Sequence, residues 1–185
     1  MNGTTVIAFI VVVVLVGYLI SCYNKLVKQS VVVEEAFATM DVYLKKRFDL
    51  IPNLVETVKG YAKHEQSTLD EVIRLRNANY SGMSAEEKLA NSASISRELP
   101  KIMALAENYP ELKANQNFME LSRQLEKVEE DIANSRKYYN GAVRNYNITI
   151  QAIPTNFIAS LFRFEKKTMF EVGDAQEREN VQVKF

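Results

Sequence analysis

The sequence predicts an all-α protein with an N-terminal single transmembrane helix followed by an up-and-down, antiparallel four-helix bundle. The chain opens on a long apolar stretch that carries no charged side chain. Beyond it, apolar residues recur at spacings of three and four, which is the period of one helix face. Only six glycines and four prolines occur in 185 residues, a scarcity that favours long helices over a many-turned β fold.

These observations divide the chain into three segments. A transmembrane helix is predicted over 5–23, the bundle domain over 24–170, and a polar C-terminal tail over 171–185. About 160 residues outside the membrane are enough for one domain with a buried core and hardly enough for two.

The stretch from Thr5 to Tyr23 has the length of a membrane-crossing helix. Its 19 residues would extend about 28 Å as a helix, close to the ~30 Å hydrocarbon core of a bilayer. Tyr18 and Tyr23 stand towards its C-terminal end, as interfacial aromatic residues often do. Lys25 and Lys28 follow at once, so the positive-inside rule predicts a cytoplasmic bundle and a short N-terminus outside.

Two alternatives to a retained membrane anchor arise from the same segment. A cleaved secretory signal would normally begin with basic residues, and none occurs from Met1 to Thr5. The run Leu19-Ile20-Ser21-Cys22 is similar to a bacterial lipobox, in which the cysteine is acylated and becomes the mature N-terminus. Lipidation at Cys22 would make the protein an envelope lipoprotein whose bundle faces the periplasm or the exterior. The retained anchor is the favoured interpretation.

The first two bundle helices are expected on either side of Pro52. Nothing between Gly17 and Pro52 forces a break, so the membrane helix is expected to continue directly into the first bundle helix. Proline suits the first turn of a helix better than its interior, so Pro52 predicts a boundary there. A second helix is expected to continue to about Tyr80, with Gly60 inside it. The first helix face carries Val33, Phe37, Met40, Leu44 and Phe48.

Local end signals delimit the third and fourth helices. Ser84 and Glu87 have the spacing of a capping box, and Tyr109-Pro110 is expected to end the third helix, which Pro100 should kink or interrupt. The fourth helix is expected to begin at Asn115 or Asn117 and to last until about Ile150. Its apolar residues follow the a/d pattern of coiled-coil packing: Phe118, Leu121, Leu125, Val128, Ile132, Ser135, Tyr139, Ala142 and Tyr146.

Several blocks of the sequence resemble the LemA family of bacterial membrane proteins. The resemblance covers Tyr23 to Phe170 and is most specific from Asp49 to Val55. It implies an N-terminal helix in the bacterial cell membrane, a four-helix bundle and no established catalytic activity. Phe37 stands where family members often carry Trp, which is a conservative difference. The blocks are Tyr23–Val27, Lys46–Glu65, Tyr109–Asn115 and Arg136–Asn140.

The residue inventory argues against most enzyme chemistry. Lys plus Arg and Asp plus Glu each number 23, so no basic excess points to nucleic acid. The chain has one histidine, His64, and one cysteine, Cys22, whereas a di-iron bundle requires two Glu-x-x-His motifs. No catalytic residue, cofactor site or metal site is therefore predicted.

A polar cluster is expected at the corner between the first two bundle helices. It consists of Arg47, Asp49, Pro52 and Asn53. One interpretation is structural, because a carboxylate near a helix N-terminus caps it and complements its dipole. The other is a polar docking patch at the end of the bundle that is distant from the membrane.

A second candidate surface follows the fourth helix. Phe157, Ile158, Leu161 and Phe162 stand beside Arg163, a composition typical of interfacial helices that attract anionic lipid. The alternative is that these side chains cover the open end of the bundle core.

The function predicted from the sequence is a non-enzymatic scaffold or adaptor, anchored in the membrane and presenting a helical-bundle surface to other proteins. The expected partners are the lipid bilayer and protein partners that the sequence does not identify, and no nucleic acid is expected. The alternatives are an enzyme, which the inventory disfavours, and the envelope lipoprotein.

Overall fold

A computed structural model describes residues 2–62, 66–76 and 79–170. Within these ranges the chain is helical and has no strand, so the all-α prediction is confirmed there. His64 and the predicted tail 171–185 lie outside the described residues. The helices are α1 (Gly3–Lys59), α2 (Gln66–Arg76), α3 (Ala85–Asn108), α4 (Pro110–Lys113), α5 (Gln116–Gln151) and α6 (Thr155–Leu161), with a 3₁₀ turn at Tyr80–Gly82.

Helix α1 begins inside the apolar segment and continues directly into the polar part of the chain. Its large apolar side chains from Val6 to Ile20 are exposed, and Cys22 is the first buried one. In the described part of the chain, α1 is the one helix long and apolar enough to cross a membrane. The apolar segment and the polar stretch after it thus form one unbroken helix, as predicted.

The predicted helix boundary at Pro52 is wrong, because α1 runs through Pro52 to Lys59. Apolar side chains on both sides of the proline are buried at helical spacing. Burying each such side chain stabilises the folded protein by about 1.5–3 kcal/mol. The sum over these side chains exceeds the cost of ~3 kcal/mol for a proline inside a helix. Burial on both sides therefore maintains the helix. The buried residues are Phe48, Ile51, Leu54, Val55 and Val58.

The predicted second helix is also wrong in its extent. Helix α1 ends just before Gly60, and α2 spans only Gln66–Arg76. Gly60, which the helical pattern placed mid-helix, instead stands directly after the C-terminus of α1, where glycine is a common terminator. Leu69 and Val72 are the buried apolar residues of α2.

The start of α3 agrees with the predicted capping box. The Ser84 side chain accepts from the backbone N–H of Glu87, and the Glu87 carboxylate accepts from that of Ser84. The helix ends at Asn108, directly before Tyr109-Pro110, as predicted. Pro100 does not interrupt α3, and its side chain is exposed.

Helix α5 begins at Gln116 and ends at Gln151, close to the predicted bounds. The Asn115 side-chain oxygen accepts from the backbone N–H of Phe118, so Asn115 rather than Asn117 caps it. Leu125 and Val128 are 4% and 0% exposed, which confirms the predicted register of the buried face.

The chain forms two compact units. The first comprises Met1–Met40 and Ser135–Met169, and the second comprises Asp41–Asn134 together with Phe170. Each has its own buried apolar residues, among them Leu26 and Tyr146 in the first and Leu54 and Ile102 in the second. The four-helix count and the domain bounds 5–23, 24–170 and 171–185 stay predictions.

Candidate functional site

A buried arginine lies at the centre of the second unit. Arg47 of α1 is 1% exposed and is held by groups of α3 and α5. Its guanidinium donates to the Ser92 carbonyl at 2.8 Å, the Ser96 hydroxyl at 2.7 Å and the Glu129 carboxylate at 2.7 Å, and also to the Ser92 hydroxyl. Its Nε has no hydrogen-bond partner in the described structure. A buried cation is tolerated only when paired in this way.

The four residues of the predicted corner do not form one exposed patch. Arg47 is buried, Pro52 is half-buried, and Asp49 and Asn53 are exposed. Asp49 pairs with Lys45 one turn earlier on α1 and caps no helix, because none begins there. The capping interpretation is therefore wrong. As a docking surface, the exposed members of the cluster stay a prediction.

The groups that hold Arg47 have no direct signal in the sequence. Glu129 flanks the apolar stripe of α5 and is expected there on a solvated face. Ser92 and Ser96 stand one turn apart on the face of α3 that also carries Ile95 and Leu99. Small hydroxyl residues at buried positions were the available signal, because a hydroxyl needs a partner when it is buried.

A second polar cluster joins α1, the 3₁₀ turn and α3. Asp41 accepts from the Tyr80 hydroxyl at 2.7 Å and from the Lys88 ammonium at 2.7 Å. The Lys88 nitrogen also stands 4.9 Å from the centroid of the Tyr80 ring. Burial, followed by the hydrogen bond to Asp41, raises the pKa of Tyr80 well above its usual range. This cluster fixes the turn against the helices.

An apolar cleft of about 920 Å³ lies between α3 and α5 in the same unit. Leu99, Met103, Phe118 and Leu125 contribute apolar surface to it. Ser96 and Glu129, the partners of Arg47, stand at one end, so the buried cation holds the two helices together beside the opening. The remaining lining residues are Pro100, Ala104, Ala106, Glu107, Lys113, Met119, Ser122, Arg123 and Glu126.

In the first unit, α6 presents an exposed apolar face beside the apolar segment of α1. Phe157, Leu161 and Phe162 are 68%, 72% and 54% exposed, whereas Ile158 is 6% exposed. The centroid of the Phe162 ring lies 4.8 Å from that of Tyr23, which stands at the C-terminal end of the apolar stretch of α1. The predicted interfacial segment thus splits, because Ile158 packs in the core and its three apolar neighbours do not.

Helix α6 ends in a complete Schellman motif. The Phe164 N–H donates to the Ala159 carbonyl at 2.8 Å, and the Arg163 N–H to the Ser160 carbonyl at 3.3 Å. The residue that takes the left-handed conformation is Arg163, with φ 56°, and its side chain is exposed. Glycine normally occupies this position because it lacks a Cβ.

The extended stretch after α6 is fixed by side chains of α5 and α1. The Asn147 amide donates to the Lys167 carbonyl at 2.8 Å and accepts from the Lys167 N–H at 3.0 Å. The Tyr139 hydroxyl donates to the Thr168 carbonyl at 2.8 Å. The Lys167 ammonium lies 3.0 Å from the Glu34 carboxylate and, with Ser30, lowers the pKa of Glu34. Nothing in the helical pattern predicted this stretch.

No group of three or more His, Cys, Asp or Glu side chains is placed to hold a metal ion in the part of the chain that the structure describes. The polar groups instead join helices to one another.

Comparison with known proteins places the chain in a family. The model of the LemA family matches residues 36–185. The chain belongs to the LemA family. The resemblance drawn from the sequence blocks is therefore confirmed.

Named relatives of this LemA-family chain come from several bacteria. It is 26% identical to magnetosome protein MamQ 1 of Paramagnetospirillum magneticum, over 92% of this chain and 72% of the relative. It is 23% identical to magnetosome protein MamQ of Magnetospirillum gryphiswaldense, over 89% of this chain and 70% of the relative. It is 21% identical to protein LemA of Metamycoplasma hominis, over 83% of this chain and 70% of the relative.

Neither the LemA family nor the MamQ proteins are known as enzymes. Together with the apolar N-terminal helix, these relatives suggest a membrane-associated protein whose molecular role is open.

Proposed function

We propose that this LemA-family protein is a non-enzymatic adaptor of the bacterial cell membrane. It is anchored by the apolar part of α1, and its bundle lies in the cytoplasm. The second unit receives an amphipathic helix of a partner protein in the cleft between α3 and α5. The observation that carries this proposal is the cleft, which offers apolar surface of the kind that a partner helix covers.

The size and chemistry of the cleft fit such a helix. The α3 side extends from Ser96 to Glu107, which is about 16 Å, or three helical turns. Its apolar interior and charged edges match helix-in-groove recognition, in which anchors at helical spacing enter the groove and polar residues flank it. Glu129 already pairs with Arg47. The remaining lining charges balance, with Glu107 and Glu126 against Lys113 and Arg123, so flanks of both signs on the partner helix would complement them.

Site-specific photo-crosslinking of the full-length chain in its own membrane tests this role. A photoreactive side chain at Met119, which is 50% exposed in the cleft, should capture a defined protein, and the crosslinked peptide should be an amphipathic helix. The matched control position is Tyr138, which is 57% exposed on α5 outside the cleft. Ala104→Glu introduces a charge into the opening and should remove the Met119 crosslink.

Two results would overturn the adaptor role. One is that the Met119 and Tyr138 positions capture the same proteins. The other is that Ala104→Glu leaves capture unchanged, since a helix seated in the cleft must contact that position.

The lipoprotein alternative is separated from this proposal by the mature N-terminus. Cys22 lies within a continuous α1 that joins the apolar segment to the rest of the chain. Mass spectrometry of the purified protein should find the segment before Cys22 still attached and Cys22 unmodified. Acylated Cys22 at the N-terminus would establish the lipoprotein instead.

A further inference from the structure

We infer that the exposed face of α6, together with Arg163, binds the anionic headgroup layer of the bilayer beside the membrane helix. The inference rests on the membrane location of α1 and is independent of the cleft and of any protein partner. It assigns Phe157, Leu161 and Phe162 to the acyl boundary and Arg163 to lipid phosphate.

The exposed face of α6 is continuous with the apolar surface of α1. Every large apolar side chain from Val6 to Ile20 is exposed, as lipid contact requires. Tyr23 lies at the C-terminal end of that stretch. The centroid of its ring is 4.8 Å from that of Phe162 and 5.8 Å from that of Phe164. The apolar surface of α1 thus continues onto α6 within one compact unit. Among possible occupants, a bilayer that already surrounds α1 covers both surfaces at once.

Helix α6 has one buried face and one exposed apolar face. Thr155, Ile158 and Ala159 are buried, so the helix is fixed on the unit by one side. The opposite side exposes Phe157 and Leu161. Large apolar side chains that are exposed next to one another on a protein surface usually mark a binding surface. An interfacial helix has this arrangement, with one apolar face at the headgroup boundary.

Arg163 has an unusual backbone conformation for an arginine. Its φ of 56° is unfavourable for a residue with a Cβ, and glycine would satisfy the Schellman motif without that cost. An exposed arginine at such a position contributes little to folding, so its charge offers a reason for its presence. Lys166 is a second exposed cation close by, and Glu165 is exposed between them. Arginine recognises phosphate through paired N–H donors.

The test uses the full-length chain reconstituted in vesicles. The sequence contains no tryptophan, so a single introduced tryptophan reports on its own position. Phe157→Trp introduces a unique fluorophore, and lipids brominated on their acyl chains quench it on contact. We expect quenching in phosphatidylcholine vesicles and stronger quenching when phosphatidylglycerol is added. Tyr138→Trp is the matched control, since position 138 is also exposed but lies about 18 Å along α5 from Ile150. It should not be quenched.

The role of Arg163 is tested in the Phe157→Trp background. Arg163→Gly should lower the ratio of lipid-contacting to lipid-free tryptophan about fivefold in anionic vesicles, the effect expected for removing one surface cation. Arg163→Lys should keep most of the anionic enhancement. The glycine variant should unfold at the same temperature as the parent or higher, which separates lost lipid binding from lost folding.

The outcomes are distinguishable from those for the adaptor role. An unquenched Phe157→Trp chain in both vesicle types would overturn the membrane contact of α6. If the quenching is the same with and without phosphatidylglycerol, and the same in the Arg163→Gly variant, the recognition of anionic lipid would be overturned. Neither result changes crosslinking at Met119, so the two proposals stand or fail separately.

Discussion

At the scale of single residues, the energetics of the second unit depend on how Arg47 is compensated. The guanidinium is almost fully shielded from water, whereas the Glu129 side chain keeps 39% of its surface exposed. The two partners are therefore not equivalent. If Arg47 is removed, the Glu129 carboxylate can still be hydrated, but if Glu129 is removed, the buried cation loses its counter-charge.

This asymmetry predicts the order of two substitutions. Glu129→Ala should destabilise the protein by about 2–3 kcal/mol, because it leaves Arg47 with only hydroxyl and carbonyl acceptors. Arg47→Met should cost less, because it removes the buried cation together with its need for a counter-charge and leaves Glu129 hydrated. Urea unfolding of the detergent-solubilised chain, followed by circular dichroism, measures both. The opposite order would mean that packing by the Arg47 side chain outweighs its charge.

At the scale of elements, α1 and α3 each continue through a proline. A proline inside a helix lacks the N–H that would bond four residues back, and its ring crowds that carbonyl. Pro52 is half-buried in α1 and Pro100 is exposed in α3. Buried apolar residues on both sides hold each helix together, so these prolines reduce stability without ending the helices.

Substituting Pro52 should reveal that reduction directly. Pro52→Ala restores the missing N–H and is expected to stabilise the protein by about 1–3 kcal/mol, up to the full difference in helix propensity. The melting temperature of the solubilised chain should rise accordingly. Pro100→Ala, at an exposed site, is the matched comparison and should also raise it. A lower melting temperature for Pro52→Ala would indicate that the ring itself packs in the core.

The helix ends show which parts of the fold could be predicted from the sequence. Helix ends set by local chemistry were predictable: the Ser84 capping box and the stop at Tyr109-Pro110 depend on neighbours within four residues. At Pro52 a local preference for a helix end is outweighed by burial against distant residues. At Gly60 the local preference of glycine does end the helix, and the apolar pattern on both sides concealed it. The pairing of Arg47 with Glu129 joins residues 82 apart in sequence, and no periodicity encodes it.

The candidate surface on α6 was predictable in composition but not in detail. Its alternation of aromatic residues and cations is visible in the sequence. Which side chains turn inward is decided by packing in the first unit, and this packing buries Ile158 and leaves Phe157 exposed. The left-handed conformation of Arg163 has no sequence signal, because glycine is the residue by which such a position is normally recognised.

At the scale of the whole molecule, the side of the membrane occupied by the bundle decides which partners it can meet. Lys25 and Lys28 are both exposed on α1 directly after the apolar stretch, whereas the short segment before it carries no lysine or arginine. Cations adjacent to a membrane helix are retained on the cytoplasmic side. The adaptor proposal therefore requires the chain beyond Lys25 to lie inside the cell.

Thiol labelling in intact bacterial cells tests this orientation. In a Cys22→Ser background, a cysteine at Glu86, which is exposed at the start of α3, should resist a membrane-impermeant maleimide until the cells are lysed. A cysteine at Asn2, also exposed, should react without lysis because the N-terminus is expected outside. The two positions are reciprocal controls for expression and reactivity. If Glu86→Cys reacts in intact cells and Asn2→Cys does not, the bundle faces outward, and cytoplasmic partners are excluded for the cleft between α3 and α5.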